Sequence, residues 1–258
     1  MGHLSGWIAA PLLIVVVASA SVWFSLLVRR RHALEKLIEN NEIAGFKFGV
    51  VGVLYAVILG LAVVAVWDDY KTAQATSAME ANDVADIYRD SASLDRKIRD
   101  PIHHELRRYA KAVIEEEWPT LHEGLASVNA EKSLDHLFPI VLGIDPIGAR
   151  EQNVADELVR RLNSLADHRR GRILDAQSRM PSLVWAALIA GGAITISFTF
   201  FFGNRNARAH SLMTALLSGF ITLLLYVIHD VDSPYSGDAR LEPDAMKAVQ
   251  TRIASDLD

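Results

Sequence analysis

The chain has 258 residues, of which 51% are hydrophobic and 22% charged, with a formal net charge of −5 and no cysteine. The lack of cysteine excludes disulfides, thiolate metal sites and cysteine nucleophiles, and the mildly acidic balance offers no basic face for nucleic acid. The hydrophobic residues lie in blocks around a charged middle segment, which is typical of a membrane protein that carries a polar domain.

The first apolar run covers residues 6–28 and is followed directly by three arginines. No Lys or Arg precedes it, and it continues well past Ala18-Ser19-Ala20, the triplet that resembles a cleavage site. We therefore predict a retained membrane helix rather than a removed signal peptide. The linker at 29–47 has a helical pattern with an expected break at Asn40-Asn41.

The second apolar run, residues 48–67, contains about twenty residues without a charge, enough to cross the roughly 30 Å hydrocarbon core as a helix. Its periodicity predicts that the helix continues beyond the membrane through Val84 and Ile87. One side carries almost no side chain, because small residues recur there at steps of three and four: Gly45, Gly49, Gly52, Ala56 and Gly60. Small residues at this spacing let another helix approach closely in lipid.

The remaining chain completes an all-α membrane protein with four transmembrane helices in two hairpins. The predicted segments are a first transmembrane hairpin at 1–67, a helical extramembrane domain at 68–181, a second hairpin at 182–229 with helices at about 182–202 and 212–229, and a short C-terminal tail at 230–258. Three helical stripes mark the middle domain. One of its helices is expected to begin after Pro101, and the Pro- and Gly-containing segment 139–148 is expected to be a loop.

The arginine and lysine distribution favours a cytoplasmic location for the linkers 29–47 and 203–211 in the cell (inner) membrane. The arginines close before the third span, including Arg169 and Arg172, lie on the opposite side and count against that orientation. The sequence therefore leaves the orientation open.

No catalytic constellation, cofactor motif or metal motif is recognisable, so the sequence does not predict an enzyme. Two acidic segments are candidates for a cation site, Glu115-Glu116-Glu117 and the pair Asp230 and Asp232. The alternatives are a solvated helix end for the first and a capped turn at the membrane surface for the second, since no calcium-loop spacing is present.

The four spans contain no Asp, Glu, Lys or Arg, which argues against an ion-coupled pump. The fourth span carries a polar row at steps of four: Thr214, Ser218, Thr222 and Tyr226. These hydroxyls either bond to their own helix backbone and join helices, or line a wet pore or cavity.

Several motifs in chain order resemble the bestrophin-like domain family of bacterial and plant membrane proteins. They are NNEIAGF at 40–46, GVLY at 52–55, WDDY at 67–70, VIEEEWP at 113–119, FG at 202–203, HSLMTA at 210–215 and DVDSP at 230–234 with Gly237. The resemblance implies a remote relation to bestrophins, which are pentameric anion channels whose pore is lined by the second membrane helix. The motifs that bestrophins carry after that helix are absent, since Trp67 to Tyr70 stand there, and bestrophins keep their termini in the cytoplasm.

The resemblance implies a homo-oligomeric ion channel, with anions as the favoured ions and a pentamer as the expected assembly. The expected partners are the lipid bilayer, further copies of the chain and small inorganic ions, without nucleic acid. Tyr55 and Trp67 of the second span join the small and polar residues above as pore or helix-packing candidates. The alternative is a non-conducting membrane sensor or scaffold whose helical domain binds a partner.

Overall fold

The computed structural model describes residues 6–255, and every regular element in that range is a helix, which confirms the predicted all-α class. In chain order the elements are α1 (Gly6–Arg31), α2 (Leu34–Glu39), α3 (Asn41–Ser91), α4 (Arg96–Ala112), a π-helical turn (Val113–Glu117), α5 (Trp118–Thr120), a 3₁₀ turn (Leu121–Glu123), α6 (Val128–Leu142), α7 (Ala149–Gln177), α8 (Ser182–Thr199), α9 (Ala207–Val231) and α10 (Asp244–Ser255).

Short polar side chains begin three of these helices by accepting hydrogen bonds from backbone N–H groups that have no partner inside the helix. Asp95 accepts from Lys97 at the start of α4, Ser127 accepts from Asn129 and Ala130 at the start of α6, and Asn206 accepts from Ala209 at the start of α9. Asp, Ser and Asn are among the preferred residues at this position.

In the described part of the chain, four helical segments are long and apolar enough to cross a membrane, within Ile8–Arg31, Asn41–Ser91, Ala149–Thr199 and Ala207–Val231. They agree with the four predicted spans. The expected break at Asn40-Asn41 is confirmed, because α2 ends at Glu39 and α3 begins at Asn41. The continuation of the second span is also confirmed, since α3 is one helix of 51 residues.

Two predicted boundaries in the middle domain are wrong, both because a proline lies inside a helix. Pro101 is within α4, which begins at Arg96, and Pro139 is within α6, so that only the residues after Leu142 form a loop. Pro101 lies close to the start of α4 and Pro139 close to the end of α6. In both places the helix includes a few residues that were predicted to lie outside it, because proline usually limits a helix.

The described chain forms two compact units. The membrane unit contains the residues up to Asp68 together with 179–232 and 237–239. In it α1 packs chiefly along α9, and α8 also contacts α9. The buried face of α3 completes its core with residues of α8 and α9: Tyr55, Leu59, Ala62, Val66, Leu188, Ile221 and Ile228.

The helical unit contains residues 69–178, 233–236 and the residues from Arg240 onward. The second half of α3 packs with α4, α6 and α7 around a continuous apolar core, and α10 covers α4. The core includes Val84, Ile87, Ile102, Leu106, Tyr109, Leu137, Leu158, Leu162, Leu165, Met246 and Ile253. This unit therefore combines a long segment that precedes α8 with short segments that follow α9.

Candidate functional site

In the membrane unit, α3 is packed on one side through Tyr55, whose ring lies against two consecutive glycines of α8. A Cβ atom on Gly191 would lie 2.6 Å from Cδ2 of Tyr55, and one on Gly192 would lie 2.9 Å from its hydroxyl oxygen. Real Cβ atoms do not approach that closely, so this contact requires glycine at both positions. The Tyr55 side chain is buried, and its hydroxyl has no hydrogen-bond partner among the described residues.

The small-residue face of α3 is open in the single chain. Among the described residues, and apart from the backbone of α3 itself, no atom lies within 4 Å of the place where a Cβ would stand on Gly49, Gly52 or Gly60, and at Gly45 the nearest is a ring carbon of Phe202 at 3.9 Å. At about 100° per residue, this face lies about a quarter-turn from the packed side. Gly49, Gly52 and Gly60 therefore do not serve packing against other described parts of the chain.

The side of α3 opposite its packed face carries exposed valines, Val53, Val57 and Val64. It ends at the exposed Asp68, and the neighbouring Trp67 is 51% exposed. The packed, small and apolar faces of α3 are distinct. Helix α3 can therefore pack against its own chain with the first, meet another helix with the second and line an open space with the third.

The polar row of α9 lies inside the membrane unit rather than on an open surface. Thr214, Ser218 and Thr222 are buried. Their hydroxyls donate to the carbonyl oxygens four residues earlier, at 3.0, 2.8 and 2.7 Å. These are bonds of the hydroxyls to their own helix backbone, and a hydroxyl bonded in this way leaves little polar surface for an ion. Tyr226 is partly exposed.

The two short linkers of the membrane unit are held together by Asn41. Its side-chain amide donates to the Gly203 carbonyl at 2.8 Å, and its oxygen accepts from the Gly203 N–H, also at 2.8 Å. A Cβ on Gly203 would collide with the backbone of Ile38, so the approach needs glycine. The Phe48 and Phe202 rings meet edge to face at 5.7 Å beside this contact.

Asp230 and Asp232, the acidic pair after α9, bind different backbone groups. Asp230 accepts from the N–H groups of Asp238 and Ala239 at 3.0 and 2.9 Å. Asp232 accepts from the Met180 N–H at 2.9 Å and from the indole N–H of Trp185 at 3.2 Å. These carboxylates therefore cap a turn and fix the entry to α8, and the cation site there stays a prediction.

In the helical unit, Glu117 belongs to a fully buried ionic network. Its carboxylate accepts from Arg172 at 2.5 Å, from Arg169 at 2.8 Å and from the Ser127 N–H at 2.7 Å. Arg172 also donates to Glu80, at 2.5 Å from Nε and 3.0 Å from Nη2. Burial would raise the pKa of Glu117, but the two guanidinium groups hold the pKa below its ordinary value.

Two aromatic side chains enclose this network. The Tyr109 hydroxyl donates to Glu80 at 2.6 Å, and burial, together with that carboxylate, raises the pKa of Tyr109 well above its ordinary value. The Arg172 guanidinium lies 5.3 Å from the centroid of the Trp118 ring, whose N–H donates to the Leu241 carbonyl. The network thus joins α3, the π-helical turn and α7.

The other two glutamates of the predicted Glu115–Glu117 cation site have separate partners. Glu116 accepts from the Ser127 hydroxyl at 2.6 Å and from the Asn129 amide at 3.0 Å, and Glu115 lies 3.9 Å from Lys111. Within residues 6–255 no three His, Asp or Glu side chains converge as a metal site would require. The cation site there also stays a prediction.

Sequence reasoning missed the arginine partners of Glu117 and the role of Glu80. Arg172 lies 92 residues from Glu80 and 55 from Glu117, and no local pattern connects positions so far apart. The available signal was the helical spacing of Arg169 and Arg172 on the same side as Leu162 and Leu165, where unpaired charges would be costly.

Comparison with known proteins gives one family. A sequence model of the Bestrophin-like domain matches residues 12–246, and a search of curated protein sequences found no match. Three crystal structures of a bacterial bestrophin homologue from Klebsiella pneumoniae resemble the fold. Two single-substitution variants are 13% and 12% identical, with TM-scores of 0.71 and 0.72. The matched regions cover 94% and 93% of this chain and 98% and 99% of the two variant chains. A third structure, phased with zinc, is 13% identical with a TM-score of 0.70 and covers 94% of this chain and 97% of the homologue.

Proposed function

Because the chain belongs to the Bestrophin-like domain family, we propose that it is a homo-oligomeric membrane channel that conducts small inorganic anions. The observation that carries the proposal is the division of α3 into three faces. One face is packed within the chain, the small-residue face has no neighbour among the described residues at Gly49, Gly52 or Gly60, and the valine face is open.

A ring of copies uses all three faces of α3. With the packed face turned outward, the valine face points to the ring axis. The small face, about a quarter-turn away, then meets the adjacent copy. Glycine and alanine at that contact let helix backbones approach closely, which drives association in lipid where hydrophobicity does not. Five copies are the number that the bestrophin resemblance favours.

The proposed pore is apolar through the membrane. Val53, Val57 and Val64 form its wall, and an apolar constriction of this kind can gate by excluding water. No carboxylate lies in this row, which permits anions. Asp68 follows at its end and gives the pore a charged mouth.

We place the protein in the cell membrane, with the linkers 29–47 and 203–211 in the cytoplasm. Seven Lys and Arg residues lie in these two linkers, and such an excess marks cytoplasmic loops. Arg169 and Arg172, which count against this orientation, are buried in ion pairs with Glu117 and Glu80. A reporter that is active only outside the cytoplasm, fused after α10, tests the orientation. We expect this fusion to be active.

Chloride efflux from liposomes tests conduction. The purified full-length chain is reconstituted at several protein-to-lipid ratios, and efflux is followed with a chloride electrode against protein-free liposomes. We expect efflux that scales with the amount of oligomer. A folded, incorporated protein that passes neither chloride nor potassium would refute the channel and favour the partner-binding alternative.

Gly60 tests the assembly. Gly60→Leu places a large side chain on the open small face and is expected to weaken the oligomer, measured by native gel and mass photometry in detergent. Gly60→Ala is the matched control, because alanine keeps the close approach. An oligomer unchanged by leucine would remove the small face from the subunit contact while leaving conduction to be judged by the efflux assay.

A further inference from the structure

One end of the membrane unit carries basic side chains that form no ion pair with any residue in the described part of the chain. They are Arg29, Arg30, Arg31, Lys36, Lys47, Arg205 and Arg208. All are exposed except Arg29, which is half-buried. Among the described residues, none of the seven forms an ion pair, although Glu35, Glu39 and Glu42 lie in the same linker. By contrast, helical-unit arginines such as Arg89 and Arg161 pair with nearby carboxylates.

Five of these charges are gathered where α1 ends and α9 begins. Arg29 donates from Nη2 to the Asn204 carbonyl at 2.8 Å, next to Arg205 in the chain. One turn earlier in α1, Ser25 lies within hydrogen-bond distance of His210, at 3.0 Å. These contacts place the last turn of α1, with its three arginines, beside the segment that holds Arg205 and Arg208.

Two features of this basic end favour a bound anion. Arg29 is held by a neutral carbonyl, and its Nη1 atom is buried with no acceptor among the described residues. Arg208 lies in the first turn of α9, a 25-residue helix, and Arg205 lies just before it. The N-terminus of a helix is positive, so cations there are repelled and anions are attracted.

The surroundings indicate that the anion belongs to a lipid. Trp23 and Phe24 precede Arg29 in α1 and are 59% and 50% exposed. Leu212 and Met213 follow Arg208 in α9 and are 60% and 64% exposed. The basic end is therefore bordered on both helices by open apolar surface, which suits acyl chains below a headgroup and does not suit a freely dissolved anion.

We propose that this basic end binds the phosphate headgroups of anionic phospholipids, with Arg29, Arg205 and Arg208 as the contacting residues. The proposal requires membrane residence but not conduction. It adds to the general preference of basic residues for one side of a membrane, because it assigns a definite site to three arginines. Juxtamembrane basic clusters are the usual protein partners of such headgroups.

Native mass spectrometry of the full-length protein in detergent tests the site. The protein is titrated with phosphatidylglycerol and, separately, with phosphatidylcholine of the same acyl chains. We expect a clear preference for phosphatidylglycerol. Each arginine removed should lower that preference about fivefold, so Arg29→Gln/Arg205→Gln/Arg208→Gln lowers it on the order of 100-fold.

Two further variants keep the test decisive. Arg205→Gln/Arg208→Gln leaves the Arg29 hydrogen bond intact and should lower the preference on the order of 25-fold even if the triple variant misfolds. Arg89→Gln/Arg160→Gln/Arg170→Gln removes the same charge from exposed positions of the helical unit and should leave the preference unchanged. Equal binding of both lipids, an unchanged preference in the double variant, or an equal loss in the control would overturn the proposal. Displacement of phosphatidylglycerol by millimolar inorganic phosphate would also overturn it, in favour of a soluble anion.

Discussion

Replacing Arg172 with methionine should strongly destabilise the helical unit. Arg172 is completely buried and donates to two carboxylates, Glu80 and Glu117, that are themselves buried. Methionine fills similar space but leaves Glu80 without a cationic partner and Glu117 with Arg169 alone. Removing one partner of a buried ion pair costs about 3–5 kcal/mol, and the loss of the contact with Trp118 adds to this.

Thermal unfolding of the purified full-length protein in detergent, followed by circular dichroism at pH 7, measures the effect. For a protein of this size about 1 kcal/mol corresponds to roughly 2–4 °C, so Tm should fall by roughly 6–20 °C. Arg160→Met is the matched control, because Arg160 is exposed and its pair with Glu157 is worth at most about 1 kcal/mol. The double variant Arg172→Met/Glu117→Gln should recover part of the loss, since one buried charge disappears with its partner. If Arg172→Met lowers Tm no more than Arg160→Met, the network does not stabilise the fold as argued.

Three further predictions address the linkers, the pore mouth and pH. Asn41→Ala removes both hydrogen bonds to Gly203 and should cost about 1–3 kcal/mol. Asn40→Ala should change the unfolding midpoint little, because Asn40 is exposed and its side-chain amide donates to the nearby Lys36 carbonyl. Equal effects would contradict the role of Asn41. Asp68→Asn removes a negative charge from the proposed pore mouth and should shift the reversal potential under a KCl gradient towards that of chloride, while an unchanged potential would place Asp68 outside the ion path. The pKa of Glu117 is lowered in the folded chain. The stability that its carboxylate contributes is therefore present above the unfolded value of about 4.3 and is lost as the pH falls through the lower folded pKa. Wild-type Tm should decline faster than that of Glu117→Gln below about pH 4.3, and parallel declines would argue against this assignment.

The membrane helices could be predicted because each is specified by local composition. The apolar runs are long enough to span a bilayer, and the break at Asn40-Asn41 is marked by two poor helix formers in succession. The continuation of α3 could also be predicted, because the residues that face the core keep a helical spacing through Val84 and Ile87.

Helix α6 was not predicted, although it carries a recognisable signal. Ser127 at its start and the spacing of Ala130, Leu134, Leu137 and Val141 are typical of an amphipathic helix. Pro139 in its last turn favoured a loop instead. The tertiary contacts of Leu137 and Val141 with the core outweigh the one hydrogen bond that the proline removes.

The sequence indicates which residues of α3 are small, but it does not indicate what surrounds them. The spacing of Gly49, Gly52 and Gly60 indicated a close-packed face, yet only the folded chain reveals that the face is left open. The partners of Glu117 and of Asn41 lie on distant segments. Their pairing depends on how helices assemble, which a periodic pattern does not encode.

The helical unit is assembled from segments that are far apart in the sequence, and this affects the order in which its parts are synthesised. Met246 and Ile253 of α10 belong to the same core as α4 and α7, but α8 and α9 lie between them and that core in sequence. During synthesis α4 therefore leaves the ribosome with its α10-facing surface bare, and it stays bare until α8, α9 and α10 have been made. The core of the helical unit therefore cannot be completed before both α8 and α9 have been synthesised.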